Sequence, residues 1–218
     1  MERPHITLKL ATSLDGKIAL ANGTSKWVTG EAARAHGRAL RAEHGAIAIG
    51  ANTAELDNPR LTTRISGKSD PVRVVFDRRL RLKLESNLCA TAKETPLWIF
   101  KCKGQDDRAK AIEELGARVH TVPSHAAGLD LKAALSVMTS NGIKRLLIEG
   151  GGTLIASFIR SGFYDTLHWY RAPVILGGDG RNAIGDLGQT EMQSVLRLKR
   201  IKSDMIGEDI HDLFERVE

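Results

Sequence analysis

The sequence predicts one α/β domain over residues 1–218, with a mainly parallel sheet and antiparallel edge strands toward the C-terminus. Three observations predict it. Short apolar runs alternate with helix-forming segments through the middle of the chain. One of those runs, Leu146-Leu147-Ile148-Glu149, breaks at Gly150-Gly151-Gly152 and passes through Thr153 into an apolar segment free of Gly and Pro, which reads as strand, tight turn and helix. Two strand-like runs, Val195–Ile201 and Ile210–Val217, then close the chain with no helix between them.

The elements follow in order. Ile6, Leu8 and Leu10 alternate with Thr7, Lys9 and Ala11, the period of a strand, which sends Lys9 to the face opposite the leucines. Solvent is the ordinary place for such a lysine. Ser13-Leu14-Asp15-Gly16 is a turn, Asn22–Lys26 a polar loop, and Thr29 a candidate N-cap for a helix over Glu31–Glu43. Ala46–Gly50 is a buried strand, followed by the short helix of NTAEL, which stops before Asp57-Asn58-Pro59 because a residue preceding proline avoids the α region. Strands are expected at Val72–Phe76, Leu97–Phe100, Arg118–Val122 and Leu167–Tyr170, with helices at Asp106–Leu115 and Leu131–Met138. Pro173–Leu176 ends at a second glycine turn, Gly177–Gly180.

A chain of this length buries roughly 70% of its unfolded surface, so its core needs no covalent staple. Cys89 and Cys102 form no CxxC pair, and the seven histidines fall in no HxE, HExxH or HxH pattern, so no metal site is expected. No apolar run approaches the ~20 residues of a membrane span, and the opening residues have no signal-peptide layout; the cytoplasm is expected. The net charge of +6 and a pI near 9.5 suit an anionic partner. At 5% aromatic residues, stacking platforms for nucleic acid are sparse, and a small phosphorylated ligand or plain solubility accounts for the charge.

In sheets of this kind ligands bind beyond the carboxyl ends of the strands. Four expected strand ends carry suggestive residues: Thr53 with Asp57, Asp77 with Arg78, Glu149 to Thr153, and Gly177 to Gly180. At the triple glycine the backbone can take positive φ and approach a ligand closely, and the N–H groups of the next helical turn suit a phosphate. A turn that uses its glycines only for geometry has the same sequence. The residues alone leave both readings open.

KLATSLDGKIALANGTSKWVTGEAAR, GANTAELDNPRLTTR, RVVFDRR, LLIEGGGTL and RAPVILGGDG occur in this order along the chain. Together they resemble the reductase domain of the bifunctional riboflavin biosynthesis deaminase/reductase, over nearly the whole length. The resemblance implies a three-layer, dihydrofolate-reductase-like α/β fold and a homodimer. It also implies an NADPH-dependent reduction of the ribosyl group of 5-amino-6-(5-phosphoribosylamino)uracil to ribityl. Another substrate of the same chemistry, a dihydropterin or a different phosphoribosyl compound, is the alternative. The HxE and PCxxC zinc signature of the fused deaminase has no counterpart here, so the reductase step alone is implied.

Matched motif by motif, the resemblance implies substrate contacts from Ser25, Arg41, Leu61, Arg64 and Glu149, the arginines as clamps on the ribose phosphate. It implies cofactor contacts from Ala11, Trp27, Thr53, Asp57 and the run Gly151, Gly152, Thr153, Leu154, Ile155, Ala156 and Ser157. Lys9, Asp57 and Glu149 stand as the catalytic candidates. Arg78 replaces the small hydroxyl residue frequent after Asp77 in the bifunctional enzymes, and is a candidate reader of the 2′-phosphate of NADPH. Each has a plainer reading: Trp27 as a loop anchor, Arg41 as an exposed helix face, Asp57 as a turn cap, Arg78 as a solvated turn residue.

Overall fold

The computed structural model describes residues 2–125 and 128–217. In chain order it contains β1 (His5–Thr12), β2 (Lys17–Ala19), α1 (Glu31–Ala42), β3 (Ala46–Gly50), α2 (Ala51–Asp57) and β4 (Val72–Phe76). There follow α3 (Asn87–Ala90), β5 (Leu97–Lys101), α4 (Asp106–Glu114), β6 (Arg118–Thr121), β7 (Ser124–His125), β8 (Gly128–Leu129), α5 (Leu131–Ser140) and β9 (Arg145–Gly150). The last third holds α6 (Gly152–Arg160), β10 (Thr166–Arg171), β11 (Arg181–Asn182), a short 3₁₀ turn (Met192–Ser194), β12 (Leu198–Ile206) and β13 (Asp209–Arg216). The expected class is found: mainly parallel strands with helices between them, and antiparallel strands at the C-terminal edge.

The chain forms two compact units, residues 1–5 with 38–151 and residues 6–37 with 152–218. In the first, the strands run β9-β3-β4-β5-β6, every pair parallel. Its central strands carry unbroken apolar runs because both faces are covered: Ala46, Ile47, Ala48 and Ile49 of β3 are all buried. Arg73 of β4 is the exception in kind. Its guanidinium is fully buried and donates to the Thr91 hydroxyl at 2.7 Å and to the carbonyls of Thr91 and Thr95. Burial pushes its pKa below the usual value for arginine.

In the second unit the order is β12-β13-β10-β1; β1 and β10 run parallel, and the other two pairs are antiparallel. Thr7 is as buried as Ile6 and Leu8, so β1 is covered on both sides and its alternation does not mark a solvated face.

Several expected boundaries move. Gly30, not Thr29, precedes α1: its carbonyl accepts from Arg34 N, and its own N–H donates to the Asp209 carboxylate at 2.7 Å. The α2 helix includes Asp57, because Asn58 takes the left-handed conformation at φ 39° that ends it. Residues 173–176 form no strand; they are a loop whose Leu176 and Gly177 N–H groups donate to Asp15 at 3.1 and 2.8 Å. A hydrogen bond from the Ser13 side chain, followed by these backbone bonds, lowers the Asp15 carboxyl to about 2. β12 starts at Leu198 rather than Val195, since residues 192–194 coil into the 3₁₀ turn.

Candidate functional site

Three of the four suggestive strand ends stand side by side in the first unit. Parallel pairing aligns Gly50 at the end of β3 with Phe76 at the end of β4, and Ile49 with Gly150 of β9. The segments after them therefore emerge from neighbouring strands at the same edge: Ala51–Asp57, Asp77–Arg78 and Gly151. The fourth, Gly177–Gly180, follows the loop held by Asp15 and ends no strand.

The first two glycines of the triple run meet the start of α2. A Cβ at Gly151 would lie 3.3 Å from the Thr53 hydroxyl, and one at Gly150 would lie 3.4 Å from its methyl. Gly151 has φ +84°, which disfavours any side chain. Gly152 is tight for a different reason: within the second unit its Cβ position is blocked by the Asn182 and Ala183 carbonyls at 2.8 and 3.1 Å. Its own carbonyl accepts from Gly185 N. Of the run that follows, Leu154, Ile155 and Ala156 are buried core, Ser157 donates to the Thr153 carbonyl, and only the Thr153 side chain is exposed. What α6 can offer an anion is its first-turn backbone N–H groups and that hydroxyl.

Glu149 falls where the pairing of β9 with β3 slips, between the matches Ala48–Ile148 and Ile49–Gly150. Such a slip re-aims a side chain. Here the carboxylate meets Arg41 of α1 in a two-pronged bridge, Nε to Oε1 at 2.8 Å and Nη2 to Oε2 at 2.7 Å. Nη1 of the same guanidinium donates to the Thr62 carbonyl at 2.8 Å. Burial penalises the cation, but the charge and hydrogen bonds of Glu149 outweigh it, and the Arg41 pKa is raised. Arg41 is therefore neither an exposed helix face nor an open phosphate clamp; its fork is committed to Glu149 and to the loop.

That loop, residues 58–64, is rigidly held. Asn58 Oδ1 accepts from Asn87 N, Leu61 is buried at φ 55°, Thr62 is held by Arg41, and Thr63 donates twice to Asp70 at 2.7 and 3.0 Å. Arg64 follows at φ 54° and is exposed. Left-handed conformations at Asn58, Leu61 and Arg64 within seven residues mark a segment whose shape is imposed by its surroundings. Asp57 is exposed as a residue, and partial desolvation of its carboxyl raises its pKa.

Asp77 does not stand in front of a ligand as its place beside Arg78 suggested. It is fully buried and turned inward, accepting from Leu82 N at 2.8 Å, and burial raises its pKa. Arg78 and Arg79 are exposed.

In the second unit, Trp27 is 71% exposed at φ 69°, with the Arg34 guanidinium 4.2 Å above its ring. It lines a cavity of ≈ 540 Å³ with Thr29, Arg34, Val174 and Asp209. Ser25 is partly buried in the preceding loop. Lys9 is half-buried rather than solvated, with its ammonium 5.6 Å from the centre of the Tyr170 ring. Ala11 pairs with Tyr170 in the β1–β10 register. Tyr170 and His36, joined by a 2.6 Å bond, are functional candidates that the sequence does not mark. No spacing signal links positions so far apart. Among the described residues no group of three or more His, Cys, Asp or Glu is arranged to hold a metal, and no helix is long and apolar enough to cross a membrane.

Residues 4–211 match the family described as the RibD C-terminal domain. The chain belongs to that family. It is 38% identical over 95% of its length to the riboflavin biosynthesis protein RibD of Bacillus amyloliquefaciens, of which the match covers 56%. The chain thus spans little more than half of the RibD proteins it resembles. A second relative is matched nearly end to end: the 2,5-diamino-6-ribosylamino-4(3H)-pyrimidinone 5′-phosphate reductase of Methanothermobacter thermautotrophicus, 34% identical over 95% of this chain and 96% of that protein. The structure of Acinetobacter baumannii RibD, form 2, superposes with a TM-score of 0.86 at 28% identity, over 99% of this chain and 58% of that one.

Proposed function

We propose that this member of the RibD C-terminal domain family is an NADPH-dependent reductase. In this reading it converts the ribosyl group of 5-amino-6-(5-phosphoribosylamino)uracil to ribityl, one step of riboflavin synthesis. One observation carries the reading: a relative named as a reductase of a ribosylaminopyrimidinone phosphate is matched over 96% of its own length. That relative's name also favours a second substrate, the 2,5-diamino-pyrimidinone, which carries an amino group where the uracil compound carries a carbonyl oxygen.

The residues fit a dinucleotide. In the first unit the positive φ of Gly151 and the Thr53 hydroxyl beside it suit a turn that comes close to a pyrophosphate; in the second, the first-turn N–H groups of α6 suit a phosphate in their own right. When bound, NADPH supplies the hydride for the C1′ of the ring-opened sugar. The chain itself must orient the sugar, hold the phosphate and deliver a proton. Arg64, exposed on a rigid loop, is suited to the substrate phosphate. Asp57, with its pKa raised by desolvation, is suited to carry the proton, and Lys9 to stand at the reacting carbon. The same reading includes a homodimer. Exposed Val174, Ile175, Ile201 and Met205 offer apolar surface for it.

The test is NADPH oxidation by the purified chain with the uracil compound and with its diamino precursor, each against an NADH control. Turnover of the uracil compound with NADPH is expected. Turnover of the diamino compound alone would transfer the assignment to the second substrate. Absence of both turnover and NADPH binding would overturn the reading.

A further inference from the structure

The strand register of the second unit gathers residues that are remote in sequence. Lys9 pairs with His168 and Ala11 with Tyr170 across β1 and β10; Tyr170 in turn pairs with His211 of β13. Paired residues point to the same face of a sheet, and so do positions two apart. Lys9, His168, Tyr170 and His211 therefore share one face. Two residues of α1 lie against it. A Cβ at Gly37 would come 3.3 Å from Lys9 Cε and 3.6 Å from Nζ, and His36 Nδ1 is 2.6 Å from the Tyr170 hydroxyl.

The aromatic rings form one continuous stack. His211 stacks on Tyr170 with centroids 4.6 Å apart and on His168 at 5.1 Å, while His36 packs its edge on Tyr170 at 5.7 Å. His168 Nδ1 and His211 Nε2 are 3.0 Å apart, so one proton is shared between them. Tyr170 is fully buried, and its hydroxyl is held by a 2.6 Å hydrogen bond with His36 Nδ1. These bonds leave the tyrosine ring little freedom, and the Lys9 ammonium lies over that ring. The lysine stem is thus confined between Gly37 on one side and an immobilised aromatic ring on the other.

We propose that Tyr170, fixed by His36 and His211, is a positioning residue for Lys9, and that Gly37 leaves the space in which the lysine is held. The proposal rests on the reading that Lys9 stands at the reacting end of the pocket. The charged and titratable groups bearing on this cluster are Lys9 from β1, His36 from α1, and His168 from β10. His211 and Asp212 from β13, Lys202 and Asp204 from β12, and Arg171 and Arg200, which are paired with Asp212, also bear on it. Removing the Tyr170 ring therefore removes one wall of the space that holds the Lys9 stem.

Two variants test this. In protein carrying ¹³C-labelled lysine, with the Lys9 signal assigned from Lys9→Arg, Tyr170→Leu should lower the Lys9 titration midpoint by about 0.5–1 unit. That is a threefold to tenfold loss in proton affinity once the ring face is gone. Tyr170→Phe, which keeps the ring face, should retain most of the midpoint. Gly37→Ala should keep or raise helix stability, since alanine is the better helix former, yet lower kcat about tenfold with KM unchanged as the lysine is displaced by a few tenths of an ångström. An unchanged Lys9 midpoint in folded Tyr170→Leu, or an unchanged kcat in Gly37→Ala, would overturn the positioning role. If Tyr170→Leu does not fold, Gly37→Ala decides alone. If Lys9→Met retains full kcat, the assignment of Lys9 to the reaction fails, and the NMR midpoint still decides whether Tyr170 holds it.

Discussion

Arg78 leaves the end of β4 with its side chain in solvent, while its neighbour Asp77 is folded inward onto the Leu82 N–H. The carboxylate that would repel a phosphate is thus withdrawn, and the two exposed arginines remain. If Arg78 reads the 2′-phosphate of NADPH, Arg78→Ala costs NADPH ~1–3 kcal/mol and leaves NADH almost untouched. kcat/KM for both cofactors at fixed low salt checks this, since screening shrinks the difference. Equal losses for the two cofactors would place the effect in the fold or the shared pyrophosphate site. Gly151 supports a second expectation. At φ +84° with the Thr53 hydroxyl 3.3 Å from its Cβ position, Gly151→Val strains the backbone by about 1–2 kcal/mol and obstructs the turn. NADPH affinity by fluorescence titration should fall alongside a modest drop in Tm. A variant as destabilised as this but with native NADPH affinity would remove the turn from the cofactor site.

The Arg41–Glu149 bridge connects elements rather than residues. It ties the last turn of α1 to the slipped end of β9, and through the Thr62 carbonyl to the loop that carries Arg64. The side chains are only 17% and 8% exposed, so removal of one partner strands a charge in a poorly hydrated place. Glu149→Ala should destabilise the protein by about 3 kcal/mol in urea unfolding. Replacing both residues by Met should cost clearly less than the sum of the single changes, because neither charge is then left alone. Additive losses in the two single variants and the double variant would show that the bridge is energetically idle. If Arg64 holds the substrate phosphate, substrate KM should rise in the single variants as well, because the loop that carries it loses its tether.

For the whole molecule, the buried imidazoles set a pH dependence. His44, His120 and His211 all have pKa values pushed down, in each case chiefly by burial. A folded value below the unfolded one means that the unfolded chain binds more protons as the pH falls through about 6.5, so stability is lost on acidification. Each such group adds a slope of up to ~1.4 kcal/mol per pH unit below that point. Asp57 and Asp77, raised by burial, act in the opposite sense at more acid pH, where the folded state takes up the proton first. Tm should therefore fall between pH 7 and about 5.5. His120 offers the cleanest check. Its ring stacks on Phe100 at 5.1 Å and meets Trp98 edge-on, and its Nε2 is buried with no hydrogen-bond partner among the described residues. His120→Phe should stabilise by ~1 kcal/mol at neutral pH and flatten the acid decline. A variant that declines as steeply as the parent would free His120 of the effect.

The sequence by itself determined what depends on neighbours along the chain. The apolar runs of β3, β4, β5 and β9, the turn at Gly150–Gly152 and the helices over residues 106–114 and 131–140 were legible because periodicity and turn chemistry are local properties. Motif order likewise marked Thr53, Asp57, Arg64 and the glycine turn as candidates. Only the tertiary structure decided what those residues face. The slip in the β9 pairing turned Glu149 onto Arg41, so the guanidinium expected as an open phosphate clamp is bridged to a carboxylate instead. Burial on both faces of β1 made Lys9 a confined lysine rather than a solvated one. His168 and His211, scattered to any reader of the sequence, share one face because β10 and β13 pair antiparallel, and His36 of α1 packs against the Tyr170 ring on that face. Which strands pair, and in which register, is settled by the burial of the whole sheet and not by any one segment of it.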